Sequence, residues 1–524
     1  MSKIQRIVCL LLVFTFAVGL IACDKGNNPQ TDTKASTDTN QPSGETEETN
    51  PLAGLDYKGE LFTIQTSVNV DTASFSSSNY LIQGEEEASA DKAANSALER
   101  NKKVESDLNI KLNYIESDYD FTEVNDKVRE LVKAGADGVH LIINDVSLTR
   151  LSTEQIIHDA SYGEYFDFSQ KYWYDEFMRS SSLNYNTRFM LAGDYFIDIT
   201  RSSHCLLMNK DYYKEIGCDP DSVYDLVRNG DWTLDALYTI IKGGEDGSHP
   251  TYQDIQGNHK RDRRDKWGLV LWQWWGPMIP WLATADPGYI ARDSEGYPSI
   301  TVNNERTVAL IDKLSALFNA DETAVGVHTD NQDTIDNFVE GNILFLTYQR
   351  LGSLESQIFA NAELDLAVLP YPKLDEFQKE YVSTIHDTSE AGFIPITVSF
   401  ANLGFVSAVI EALSRSTAET VMQKYYESTL KIRYARESAN AEMIQLIHDT
   451  YGNAFPLVWD FPESPDIFTS GMYESISKNQ SSFASFYRST ENSANTALQQ
   501  SISDMKDVIE NIQTQYDEYL KNKK

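Results

Sequence analysis

Apolar positions along the chain follow two periods, and the change from one to the other marks the first elements. Leu61 to Val68 (LFTIQTSV) reads as a strand. The Ala-rich stretch Ser89 to Leu108 follows, with Glu85, Glu86 and Glu87 just ahead of it, where a helix N-terminus favours negative charge. Asn109 to Ile115 sets Ile110, Leu112 and Tyr114 at every second position, as a strand does. Phe121, Val124, Val128, Leu131 and Val132 fall on one helical stripe that Gly135 and Gly138 end, and Val139 to Ile143 is a buried strand. Strand, helix, strand, helix, strand predicts an α/β unit with a largely parallel sheet. Ligands in such sheets bind beyond the carboxyl ends of the strands, where Asn144 and Asp145 stand. Turn statistics give this pair the equally good role of opening a turn.

Further along, Val308, Ile311, Leu314, Leu317 and Phe318 mark an amphipathic helix, and the segments 418–435 and 440–447 also read as helical. From Leu498 through Ile502, Met505, Ile509, Ile512, Tyr516 and Tyr519 the apolar spacing alternates between four and three. A single terminal stripe of this length is expected to pack on its own domain rather than on a partner helix.

The N-terminus departs from this pattern. Lys3 and Arg6 precede an apolar run from Ile7 to Ala22 without an acidic residue, which has the form of a secretory signal and is too short for a spanning anchor once its cleavage region is discounted. The run ends in Leu20-Ile21-Ala22-Cys23, which resembles the bacterial lipobox. The resemblance implies cleavage before Cys23, diacylation of that cysteine and a stable lipid anchor. Asp24 to Asn50 is almost wholly small, polar and acidic, a tether that would hold a domain about 30 Å from the bilayer. The expected organisation is therefore a signal over 1–22, a tether over 23–54 and folded protein beyond.

Charge narrows the partners. Asp plus Glu number 79 against 44 Lys plus Arg, a formal charge of −35 that repels nucleic acid and anionic lipid and suits neutral or cationic ligands. Of four cysteines, Cys9 leaves with the signal and Cys23 is lipidated; Cys205 and Cys218 remain, as a disulfide or as two free thiols.

Candidate chemistry concentrates in Trp267 to Trp281 (WGLVLWQWWGPMIPW), which holds five of the eight tryptophans. On a strand, alternation would send Trp272, Trp274 and Trp275 to opposite faces, so one set would be exposed or line a cleft. Indoles stack on the C–H faces of sugars, although an aromatic cluster taken alone is more often core than cleft. The stretch 254–265 resembles a calcium loop, but His259 stands where the turn glycine belongs, Asp265 replaces the usual Glu and four cationic residues intrude, so no metal is expected.

Cys205 to Pro220 (CLLMNKDYYKEIGCDP) runs as an apolar strand, Asn-Lys-Asp, two aromatics and a short helix closed by glycine, and Asp231-Trp232-Thr233 opens another helix. This order resembles the extracellular solute-binding proteins of carbohydrate ABC importers, the maltose-binding-protein-like family. Phe338-Val339-Glu340-Gly341 with 342–348, Leu369-Pro370-Tyr371-Pro372 and Gly392-Phe393-Ile394-Pro395 resemble further segments of that family in the same order, over about residues 55 to 450. The resemblance implies a two-lobe, periplasmic-binding-protein-like (type II) α/β fold with the ligand in the interlobe cleft. It places the first lobe at 55–205 and 388–430, the second at 206–387 and 431–524, and crossings near 199–209 and 385–394. It further implies hinge closure on a sugar, a permease partner, a monomer, no cofactor and residence on the outer face of the cytoplasmic membrane. By position, the ligand-facing residues would be Asn144, Asp145, Asp198, Arg201, Trp272, Trp274, Trp275, Tyr348 and Asp387. The family's aromatic after the Phe-x-x-Gly strand is usually Trp, and here it is Tyr348. The rival readings are a secreted glycoside hydrolase with two carboxylates across an aromatic cleft, and a peptide-binding importer component. His386-Asp387 lacks a nucleophile motif and reads as a hinge turn.

Overall fold

The computed structural model describes residues 50–67, 78–85, 92–119, 122–135, 138–272, 274–327, 331–427, 438–452, 455–459, 467–468, 470–477 and 483–523. The signal, Cys23, most of the tether and part of the helix expected over 418–435 lie outside these residues. Strands occur in chain order as β1 (Glu60–Thr66), β2 (Ile110–Glu116), β3 (Leu141–Asp145), β4 (His204–Asn209), β5 (Trp267–Leu271), β6 (Ile290–Arg292), β7 (Pro298–Ile300), β8 (Thr323–Val325), β9 (Ile343–Arg350), β10 (Leu366–Leu369) and β11 (Glu390–Phe393).

They form two main sheets. The first runs β11-β3-β1-β2, with β1, β2 and β3 parallel and β11 antiparallel on the edge, so the βαβ reading of the opening residues holds. The crossover helices are Lys92–Leu108 and Val124–Lys133, each burying one apolar face. The second sheet runs β10-β4-β9-β5-β8; β5 is parallel to β8 and β9, whereas β4 runs against both of its neighbours. Fully buried runs such as Leu141–Ile143 of β3 and Trp267–Leu271 carry the continuous apolar character that a sheet covered on both faces requires.

Among the described residues, segments that link the two sheets run side by side at 202–204 and 384–386. Ser203, just before β4, pairs with Ile385, a few residues before β11. The His204 N–H donates to the Thr384 carbonyl at 2.9 Å, and the His386 N–H to the Ser202 carbonyl at 3.0 Å. Ser383 in turn pairs with Tyr451. Ser202, Ser203, His204, Ile385 and His386 fall within the segments expected to cross, 199–209 and 385–394, whereas Ser383, Thr384 and Tyr451 lie outside them.

The C-terminal helix Phe483–Lys523 buries Leu498, Ile502, Met505 and Ile512. Tyr516 meets Tyr162 and Phe400 at ring distances of 4.8 and 5.3 Å, so the stripe packs on its own chain. Cys205 and Cys218 are free thiols. No described helix is long and apolar enough to cross a membrane.

Candidate functional site

β5 ends at Leu271, and the short 3-10 segment Gly276–Met278 and the helix Ile279–Ala285 follow. The expected split of the tryptophans by strand alternation is corrected here, because the chain leaves the strand before reaching them. Trp267 and Trp281 are core, Trp272 is half-buried, and Trp274 and Trp275 are exposed by 44% and 37%. The two adjacent indoles present a flat apolar surface to solvent. Gly276 makes the placement possible: a Cβ there would overlap the Trp274 ring.

Tyr348, on β9, faces these rings. Its φ of 57° lies in the left-handed region, rare for a bulky residue and costing about 1–3 kcal/mol. The Tyr371 hydroxyl holds it there by accepting the Tyr348 N–H at 2.9 Å. The Tyr348 ring meets Trp274 edge-on at 5.8 Å and stacks on His204 at 5.5 Å. Its hydroxyl lies 3.0 Å from His386 Nε2, and His386 Nδ1 lies 3.0 Å from Asp387 Oδ1. One connected group therefore holds Trp274, Trp275, Tyr348, His204, His386 and Asp387.

The first sheet brings Asn144 and Asp145 to the end of β3, paired with Ala391 and Glu390 of β11. The turn reading is met, since Asp145 accepts the Ser147 N–H at 2.8 Å and opens a 3-10 turn. Burial pushes the Asp145 carboxyl up to about 6, and the charge of Asp387 adds to the shift. Burial also raises Asp387, but the His386 imidazole outweighs it and holds that carboxyl below the ordinary range. Two carboxyls of opposite tendency thus stand in electrostatic contact, and Asp387 is linked through His386 to Tyr348.

Asp198 and Arg201 belong to a different arrangement. The Arg201 guanidinium, fully buried, forks onto Glu355 at 2.9 and 2.8 Å, and the Tyr425 hydroxyl donates to the same carboxylate at 2.7 Å. The fork implied for a ligand is therefore turned onto the protein itself. Asp198 accepts the Glu390 N–H at 2.9 Å and the Ser202 hydroxyl at 3.1 Å, which ties β11 to the start of the first crossing. Glu390 receives the Ser67 and Ser78 hydroxyls, and burial beside Asp198 pushes its carboxyl up to about 8.

Sequence reading passed over His204. It begins β4 ahead of the apolar run, and a polar residue at the head of a buried strand is the signal that could have marked it. His386 was read as a turn; it is that and the bridge between Tyr348 and Asp387. In the loop 254–265, Asp254 accepts the backbone N–H groups of Asn258 and His259, and His259 takes the left-handed φ of 58° that the turn demands. The carboxylate is spent on its own loop.

No family model and no curated protein matches the chain. Solved structures do. A cyclo/maltodextrin-binding protein crystallised with maltotetraose superposes with a TM-score of 0.50 at 13% identity, over 86% of this chain and 98% of that one. An ABC substrate-binding protein from Listeria monocytogenes in complex with cycloalternan gives 0.47 at 13% identity, over 86% and 99%. A maltose-bound T. maritima MalE3 gives 0.45 at 13%, over 86% and 99%. The chain has the two-lobe α/β fold of solute-binding proteins of the maltodextrin-binding kind.

Proposed function

We propose that the chain is the substrate-binding component of an ABC importer, which captures a sugar or oligosaccharide by hinge closure and delivers it to a membrane permease. The observation that carries the reading is the convergence of exposed Trp274 and Trp275 with Tyr348, His386 and Asp387 at the crossing segments. Flat rings fit the C–H faces of a pyranose, and a carboxylate and an imidazole fit its hydroxyls. The fold shared with a protein crystallised with maltotetraose supports it. In this reading Asn144 and Asp145 face the ligand from one lobe, and Trp272, Trp274, Trp275 and Tyr348 from the other. The lobes are divided near residues 205 and 387, and the crossing segments act as the hinge. Cys23 carries the lipid that keeps the protein, as a monomer, on the outer face of the cytoplasmic membrane. The ligand leaves chemically unchanged.

A thermal-shift panel of mono- and oligosaccharides and dipeptides tests this. A saccharide at 100 times its Kd should add about 2.7 kcal/mol of stability. Stabilisation by peptides alone would transfer the role to peptide import. Loss of labelled palmitate in Cys23→Ala tests the anchor.

One observation favours the second reading, a secreted glycoside hydrolase. Asp145 and Asp387 are pushed in opposite directions, the pattern of a general acid beside an ionised carboxylate. Release of reducing ends from an oligosaccharide, lost in Asp145→Asn, would select it.

A further inference from the structure

The crossing segments have a second face. Ser203 and His204 are successive extended residues, so their side chains leave on opposite sides. His204 stacks on Tyr348 in the cleft, whereas the Ser203 hydroxyl lies 2.6 Å from that of Tyr451. Tyr451 lines a separate cavity of about 550 Å³, within the range of small-molecule sites. The cavity is bounded by the helix Asp175–Ser181 on one side, the turn leading into β6 on another, and the segments 380–382 and 449–452 that adjoin the crossing. The crossing is therefore a wall with the aromatic cleft on one side and this cavity on the other.

Its lining is acidic and aromatic. Glu176, Asp286, Glu380 and Asp449 supply carboxyls, Glu176 also accepting the Tyr185 hydroxyl at 2.5 Å and Asp449 pairing with His448 at 2.9 Å, and Tyr185, Tyr289 and Tyr381 supply rings, Tyr185 also facing Arg179 and Tyr381 facing Lys373. The cation in the lining, Arg292, is committed elsewhere: its guanidinium donates to the carbonyls of Ser180, Ser182, Leu183 and Gly296 at 2.8 to 3.0 Å. Among the described residues no three His, Cys, Asp or Glu side chains are grouped closely enough to hold a metal ion. Carboxylates dispersed around tyrosine rings match a ligand whose positive charges are also dispersed, along an apolar spacer. The chain's formal charge of −35 raises the local concentration of such a ligand.

We propose that this cavity is a second binding site, for a small linear organic polyamine, separate from the aromatic cleft. It goes beyond the sugar reading and stands if that reading fails. The test is calorimetric titration of the full-length chain in detergent with spermidine at about 150 mM salt, where screening removes diffuse attraction. One saturable equivalent is expected. Glu176→Gln with Glu380→Gln, both exposed side chains, should weaken it at least tenfold, and Glu380→Gln alone should weaken it measurably. Trp274→Ala, and a charge-matched pair on a remote helix, Asp126→Asn with Glu130→Gln, should leave it unchanged. Three results would overturn the proposal: no saturable binding, equal weakening by the remote pair, or loss in Trp274→Ala.

Discussion

Trp274 is the residue on which the cleft most depends, and its position depends on an absent Cβ at Gly276. Gly276→Ala should displace the ring and weaken saccharide binding about as much as Trp274→Ala, while the melting temperature without ligand changes little; paired titration and melting curves check this. Arg201 is the opposite case. Arg201→Ala would strand the Glu355 carboxylate in the core, and we expect a loss of about 3–5 kcal/mol in denaturant unfolding, with a smaller loss in the double variant Arg201→Met, Glu355→Leu. His448 supplies a pH test. Burial alone would keep its imidazole neutral, but Asp194 at 3.1 Å and Asp449 at 2.9 Å outweigh it and push the imidazole up to about 9. A raised histidine stabilises fully below its unfolded value of 6.5 and loses that contribution as pH rises through 9. Glu390, pushed up to about 8, makes stability fall over 4.5 to 8 as well, so the difference between the parent and His448→Asn isolates the histidine. Trp274, Trp275, Tyr348 and Asp387, expected from segment order to face one ligand, gather in one connected group. The pairing of Arg201 with Glu355 was not legible, because the two lie 154 positions apart and nothing local announces the pair.

At the scale of elements, period and punctuation carried most of the information. β1, β2 and β3 fall within one or two residues of the patterns that predict them, β3 as a buried apolar run and the edge strand β2 as an alternation of apolar and polar positions. Asn304 caps the helix Glu305–Phe318 by accepting the Thr307 N–H at 2.9 Å, and Asn304→Ala should cost about 0.5–2 kcal/mol. The aromatic segment was less legible. Trp267 to Trp281 has strand-like composition throughout, yet Pro277 and Pro280 open a 3-10 turn and a helix, and these turn the indoles outward. Gly392 on β11 shows the same dependence on tertiary contact. A Cβ there would overlap Phe196, so Gly392→Ala should lower stability by more than the few tenths typical of a surface change, as a melting curve would show. Only the packing of β11 against Phe196, 196 positions into the chain, reveals why glycine is needed.

For the whole molecule, the order of short segments foretold the fold better than any one of them. Each segment from Asn209-Lys210 to Gly392-Phe393 is individually common, but their sequence along the chain implied a two-lobe α/β fold, and that fold is found. Ligand identity was not legible, because it depends on distances between rings and carboxyls that separate elements set. The claim that matters most is that the cleft binds saccharide and does not consume it. The direct measurement is titration of the protein with a maltodextrin series, with the recovered ligand analysed for chain length and reducing ends. The account predicts saturable one-to-one binding, intact ligand and at least tenfold weaker binding in Trp274→Ala. Failure of every saccharide to bind, or recovery of shortened chains, would contradict it.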